Sequence, residues 1–141
     1  LPFAMHMAMC GSLGIGTDLN RASEETRKSI GNFVAEYKEI RDVVQLGEVY
    51  RLKSLARDDI HAVQYVKEDR IAVFLFLDHE RYGNKFHHVR LRGLNAHSRY
   101  TVTMAGKTMV KTGDYLMQMG LWAELKGDYD SLLIRITEST D

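Results

Sequence analysis

A chain of 141 residues that is 45% hydrophobic holds the material for one ordinary domain with a real core, and leaves no length for a second complete one. Its 19 basic and 19 acidic residues cancel, so no broad positive field exists to hold a phosphate backbone or an anionic membrane, and neither nucleic acid nor membrane is expected as a partner. The single cysteine, Cys10, excludes an internal disulfide; this agrees with a reducing, cytoplasmic setting and also with a piece of a longer secreted protein.

Position one is Leu, with no basic segment and small-residue cleavage site behind it, so the chain reads as a piece of something longer. Leu1 to Cys10 is apolar with little alternation, which suits a strand or a short helix buried on all sides. Leu1 to Gly16 carries His6, Ser12 and three glycines, and is too short and too interrupted to span a bilayer. Gly11, Gly14 and Gly16 then punctuate it. Ser23 is placed to cap a helix, with Glu24 and Glu25 in its positive first turn; Thr26 stands where a capping box would need Glu or Gln. Ile30, Phe33, Val34, Tyr37, Ile40 and Val44 recur at spacings of three and four and predict an amphipathic helix that ends at Gly47. Gly31 weakens it by about 1 kcal/mol relative to Ala, which packing of that stripe must offset.

After Gly47 the period changes from helical to two. Glu48 to Lys53 alternates as a half-buried strand does, and seven or eight short strands are predicted from there to Asp141. His61 to Val66 and Ile71 to Leu77 form a hairpin around the charged run Lys67 to Arg70, and Ile71 to Leu77, apolar on both faces, is the central strand. His88 to Arg92 and Tyr100 to Met104 alternate on either side of Gly93-Leu94-Asn95, which tolerates left-handed backbone angles. Leu132, Ile134 and Ile136 supply the core face of the closing strand. Val73, Leu75, Val89, Leu91, Tyr100 and Val102 join them in the predicted core. With Pro2 the only proline and no helices alternating with the strands, the fold class is mainly β: an antiparallel, Greek-key-like sandwich preceded by one long helix.

No complete active site is present. Gly11, Gly14 and Gly16 give G-x-x-G-x-G, whereas a dinucleotide site needs the reverse order at a tight strand-to-helix turn. Of six histidines, adjacent His87 and His88 point to opposite sides of a strand, while His6, His61, His79 and His97 lack a ligand spacing, so no metal and no cofactor is expected. Cys10 reads as a small buried hydrophobe without a basic partner. Asp18, Asp58-Asp59, Asp78-His79-Glu80 and Asp128-Tyr129-Asp130 fall in predicted turns, which explains them without catalysis. Trp122, with Tyr115 and Met117, is of a kind that stacks on a sugar face, although such aromatics in a sandwich more often serve a core or an interface.

Taken in order, Gly11-Ser12-Leu13-Gly14-Ile15-Gly16, Ser23-Glu24-Glu25, Tyr37-Lys38-Glu39-Ile40-Arg41 and Gln45-Leu46-Gly47-Glu48-Val49-Tyr50-Arg51-Leu52 closely resemble the C-terminal part of glycoside hydrolase family 36 α-galactosidases. Val89 to Asn95 with Arg99-Tyr100, and Asp114 to Met117 with Gly120-Leu121, look like later blocks of the same family. The resemblance implies a parent with an N-terminal supersandwich, a (β/α)₈ catalytic barrel and a C-terminal sandwich, acting with retention on terminal α-galactosides such as those of the raffinose family. It places residues 1–46 as the last strand and helix of that barrel, with Gly14 to Asp18 as an exit loop whose position relative to the pocket the sequence leaves open, and 47–141 as the terminal sandwich. The two catalytic aspartates it implies lie on earlier barrel strands, so none of the chain's own residues is expected to be catalytic. Expected partners are the parent's barrel and, through it, the galactoside. Self-association is also expected, through Met5, Met7, Met9, Phe33 and Tyr37, because the barrel that would cover them is absent. The competing expectation is a carbohydrate-binding or protein-interaction sandwich with a ligand site around Trp122.

Overall fold

In the computed structural model the described residues are 2–11, 13–16, 18–54, 59–80 and 85–139. A helix α1 (Pro2–Met9) and a long helix α2 (Glu24–Leu46) precede eight strands and one short helix. The strands are β1 (Glu48–Lys53), β2 (His61–Lys67), β3 (Arg70–Leu77), β4 (Phe86–Val89), β5 (Arg99–Met104), β6 (Lys107–Thr112), β7 (Leu121–Glu124) and β8 (Asp130–Glu138), with α3 (Gly113–Gln118) between β6 and β7. Six of them form one antiparallel sheet in the order β1-β2-β3-β8-β5-β6, and β4 pairs with β7 in a separate antiparallel ladder. The mainly β, antiparallel class read from the sequence is the one observed, divided six and two.

Alternation along the strands gives the large sheet two apolar faces, and each is covered. One face packs Val73, Leu75, Val102, Ile134 and Ile136 against Val89, Leu121 and Leu125 of the β4–β7 layer and Leu116 of α3. Of the nine residues expected in the core, eight are buried and Leu132 is half-buried against them. On the other face Val63, Tyr65, Phe74, Phe76 and Leu133 pack against Met9 of α1 and Tyr37, Ile40, Val43 and Val44 of α2. The helices and the sheet thus share a core. That is why β3 is buried along its apolar run, and why β8, expected to offer one core face, buries Leu133 on the other as well.

Helix α2 starts as its sequence predicts: the Ser23 hydroxyl accepts from the Thr26 N–H at 3.1 Å and donates to the Thr26 hydroxyl at 2.9 Å, a cap without the reciprocal bond of a capping box. It stops at Gly47, whose N–H still bonds the Val43 carbonyl while its backbone is already extended. A Cβ there would collide with that carbonyl and lie 2.6 Å from the Val66 carbonyl oxygen. Glycine is required by the close approach of β2, not by an unusual backbone angle.

Three expectations change. Residues 2–9, matched by resemblance to a barrel strand, are helical, because Met5, His6 and Met9 lie on one side of α1 and bury against the sheet and α2. The strand expected over His88 to Arg92 ends at Val89. Beyond it the buried Gln64 takes the place of a neighbouring strand: its amide nitrogen donates to the Arg92 carbonyl at 2.7 Å and its amide oxygen accepts from the Arg92 N–H at 3.0 Å. Gly93 then turns with φ +68 beneath the Tyr50 ring, where a Cβ would meet Tyr50 Cζ at 2.7 Å. Finally, the apolar surface expected to await a second copy is covered from within: Met5, Met9 and Tyr37 are buried, Phe33 is half-buried, and Met7 alone of the five is exposed.

Candidate functional site

The segment from α1 to α2 contains the loop that the resemblance matches to the exit from the last barrel strand. Helix α1 closes with the Cys10 and Gly11 N–H groups bonded to the Met7 and Ala8 carbonyls, both at 3.3 Å. The carbonyls of Cys10 and Gly11, at the end of the helix, are met from other elements. Tyr65 of β2 donates to the Cys10 carbonyl at 3.2 Å, and Tyr37 of α2 donates to the Gly11 carbonyl at 2.8 Å while accepting from Gln45 Nε2 at 2.9 Å. Sequence reasoning placed Tyr37 on the apolar stripe of α2 and in an expected self-association surface, and did not single out Tyr65. Its available signal was a hydroxyl on a buried stripe, which must find a partner.

Burial pushes the Cys10 thiol up to about 11, with the Tyr65 hydrogen bond pulling the other way, so at neutral pH it is the protonated thiol and no nucleophile. Beyond it, Leu13 to Gly16 run without helix or strand, and a Cβ added at Gly14 or Gly16 meets nothing within 4 Å. Among the described residues no packed neighbour calls for these glycines. Asp18 closes the stretch by accepting from the Asn20 N–H at 3.0 Å.

The acidic residues have structural work. Asp42 of α2 bridges Arg70 and Lys67 of the β2–β3 hairpin, and those charges hold its carboxyl below the usual range against the desolvation that would raise it. Glu39 bonds Arg135 of β8, and Arg70 also donates to the Glu39 carbonyl at 3.0 Å. These pairs flank a shallow groove of about 360 Å³ between α2 and the β5–β8 strands, whose floor carries Thr101, Thr103 and Thr137. Asp128 accepts from the Glu80 N–H and Asp130 from the Lys126 N–H, so the turn carboxylates cap backbone as the sequence implied. Asp58 lies outside the described residues.

Asp59 bonds buried His87 and lies 3.5 Å from Lys53; desolvation works to raise its pKa, and those two partners win and lower it. Among the described residues no group of three His, Cys, Asp or Glu side chains comes together to hold a metal. His87 and His88 do face opposite sides of β4, one buried and one partly exposed.

Trp122 is not core. It is 64% exposed on β7, opposite His88 in the ladder with ring centroids 4.8 Å apart, and Phe86, 60% exposed, lies diagonally across on the same face. Tyr115 lies instead on α3 beside the Lys111 ammonium.

A model of the glycosyl hydrolase family 36 C-terminal domain matches residues 60–136. The chain belongs to this family. Curated α-galactosidases match over a longer span. The probable α-galactosidase G of Emericella nidulans is 30% identical over 136 residues, which is 94% of this chain and 18% of that protein. The α-galactosidase AgaA of Geobacillus stearothermophilus is likewise 30% identical over 136 residues, covering 93% of this chain and 18% of its own. An AgaA variant crystallised with raffinose superposes with a TM-score of 0.87 at 27% identity over 96% of this chain and 19% of AgaA. The chain therefore spans about a fifth of the length of the family 36 enzymes it matches. At 96% coverage the superposition extends well beyond residues 60–136, into the helical part of the chain.

Proposed function

We propose that this chain is the C-terminal part of a retaining α-galactosidase of family 36, in which residues 1–46 complete the catalytic barrel and 47–141 form the terminal sandwich. The observation that carries this reading is the continuous match to AgaA across both parts. The parent cleaves terminal α-galactosides of oligosaccharides, and raffinose bound to AgaA is the kind of substrate meant. The chain alone is inert. Retaining chemistry needs two carboxylates about 5 Å apart across the scissile bond, and the acids placed here cap turns or tie α2 to the sheet.

A chromogenic α-galactoside decides between the parts of this proposal. The longer protein that carries this chain is expected to hydrolyse it and to release the α-anomer first by NMR, and the 141 residues alone to give the rate of a matched blank. Turnover by the 141 residues would mean that a capping carboxylate had been misassigned.

A second reading, a carbohydrate-binding or protein-interaction sandwich, is favoured by the exposed Phe86 and Trp122 and the partly exposed His88 on one face of the β4–β7 ladder. Titration of the 141 residues with galacto-oligosaccharides, followed by Trp122 fluorescence, separates the two. A saturable shift abolished by Trp122→Ala supports a sugar site of the sandwich's own, and an unchanged spectrum supports the structural role.

A further inference from the structure

The shallow groove between α2 and the β5–β8 strands does not end at its charged pairs. A second cavity, of about 290 Å³, continues it toward Pro2 and His6 of α1 and shares Thr103 and Arg135 with the first. Together they follow α2 from Phe33 to Val43, about 15 Å at the helical rise. We propose that this groove binds an uncharged oligosaccharide, laid along α2 across β8 and β5. The site is on the side of the large sheet away from the β4–β7 layer, so it does not involve Trp122.

The polar groups of the groove satisfy one another only in part. Strand register sets Arg70 beside Thr137 and Thr137 beside Thr101, with Arg135 beside Thr103 in the next row of the same face. Arg70 bonds Asp42 and the Glu39 carbonyl through one nitrogen, and Arg135 bonds the Glu39 carboxylate through one, which leaves two nitrogens on each guanidinium. Among the described residues the Thr103 and Thr137 hydroxyls have no hydrogen bond, and Thr101 has a long one of 3.4 Å to Ser139. Glu36, half-buried in the second cavity, has no hydrogen-bond donor among them either. Burial raises its pKa, Arg135 pulls it down and Glu39 adds to the rise. The charges then decide the kind of ligand. Glu36, Glu39 and Asp42 offset Lys67, Arg70 and Arg135, so neither an anion nor a cation gains from a net field. What remains is a row of spare donors, a spare acceptor and hydroxyls that serve as either. Sugar hydroxyls, each a donor and an acceptor at once, match that mixture with no change of charge, and their bonds to charged groups are of the stronger kind. The length of the groove suits several linked rings better than one.

The geometry stands apart from the reading of the parent as an α-galactosidase, and only the choice of raffinose as a probe rests on it. The 141 residues, isotope-labelled for NMR, are titrated with raffinose, with maltotriose, which contains no galactose, and with sulfate. Saturable shifts of the Thr101, Thr103 and Thr137 amides are expected with raffinose. Thr103→Val combined with Glu36→Ala removes a hydroxyl and a carboxylate, keeps β-branching in the strand and helix propensity in α2, and should weaken binding about tenfold. A response to maltotriose alone would support the groove and show that galactose is not what it selects. The inference is overturned if neither trisaccharide shifts these amides at about 50 mM, or if sulfate shifts them as strongly. It is overturned equally if the shifts fall on Phe86, His88 and Trp122 instead, or if the double variant binds as well as the unaltered chain.

Discussion

His6 shows what the helix–sheet core does to a single titratable group. Its Nδ1 bonds the Ser131 hydroxyl at 2.6 Å, and its ring stands edge-on to Phe33 and Phe74. Burial lowers its pKa to about 4, with the Asp130 charge pulling it partly back. Between about 4 and 6.5 the unfolded chain binds a proton there that the folded chain refuses, so stability rises with pH across that window and is complete above it. Thermal melts from pH 5 to 7 should show this rise, and His6→Gln should flatten it. Equal slopes in the two proteins would mean that the folded ring accepts the proton. Leu91 presents the opposite case, an apolar side chain 1% exposed among the two layers of the sandwich. Leu91→Ala should cost roughly 2 to 5 kcal/mol in chemical denaturation, since a cavity adds to the lost transfer energy. A loss under about half a kcal/mol would contradict its burial. Position 91 was legible because it alternates with Arg90 and Arg92; the Gln64 amide that holds its neighbour was not. Alternation tells which way a side chain faces, and says nothing of which backbone group a buried amide will reach.

Among the elements, those with a clean period were legible: α2 from its stripe, β3 from its apolar run and β5 from alternation. Val43 was missed on α2 because the stripe was drawn a residue too narrow, yet it is buried. Helix α1 was ambiguous, since an apolar run without polar punctuation fits a strand as well as a helix. Helix α3 has six residues, too few for a period to show, and its one local signal is Thr112, whose hydroxyl accepts from the Tyr115 N–H. The hairpin turn at Ala105-Gly106, where both residues have positive φ, is marked in sequence by Gly106 alone. The junction of α2 with β1 offers a test at this scale. Gly47→Ala puts a methyl group against the Val43 and Val66 carbonyls, and neither can retreat without parting α2 from β2. We expect a loss of about 1 to 3 kcal/mol in urea, as for other forced overpacking. A neutral result would show that the junction yields.

At the scale of the whole molecule, the decisive feature is that residues on both sides of Gly47 share one core. The sequence led to the expectation of a barrel remnant with an open stripe, because periodicity reveals that a helix face is apolar without revealing which surface covers it. In this chain the cover is the large sheet: Tyr37, Ile40, Val43 and Val44 lie on Val63, Phe74 and Leu133. Self-association through Met5, Met9 and Tyr37 would therefore have to break that layer first. The same packing predicts the reverse behaviour for a shortened chain beginning at Gln45. Without the helices, Val63, Tyr65, Phe74, Phe76 and Leu133 would form one contiguous apolar face on the sheet, and contiguous faces of that kind are normally covered. In sedimentation velocity the shortened chain should associate or precipitate, and the 141 residues should associate less at the same concentration. Phe74→Lys in the shortened chain should restore its solubility by charging the middle of the exposed face. If instead the 141 residues associate more strongly than the shortened form, the interface lies on the helices, and Met7 and Phe33, the members of the expected set left outside the buried core, become the residues to substitute.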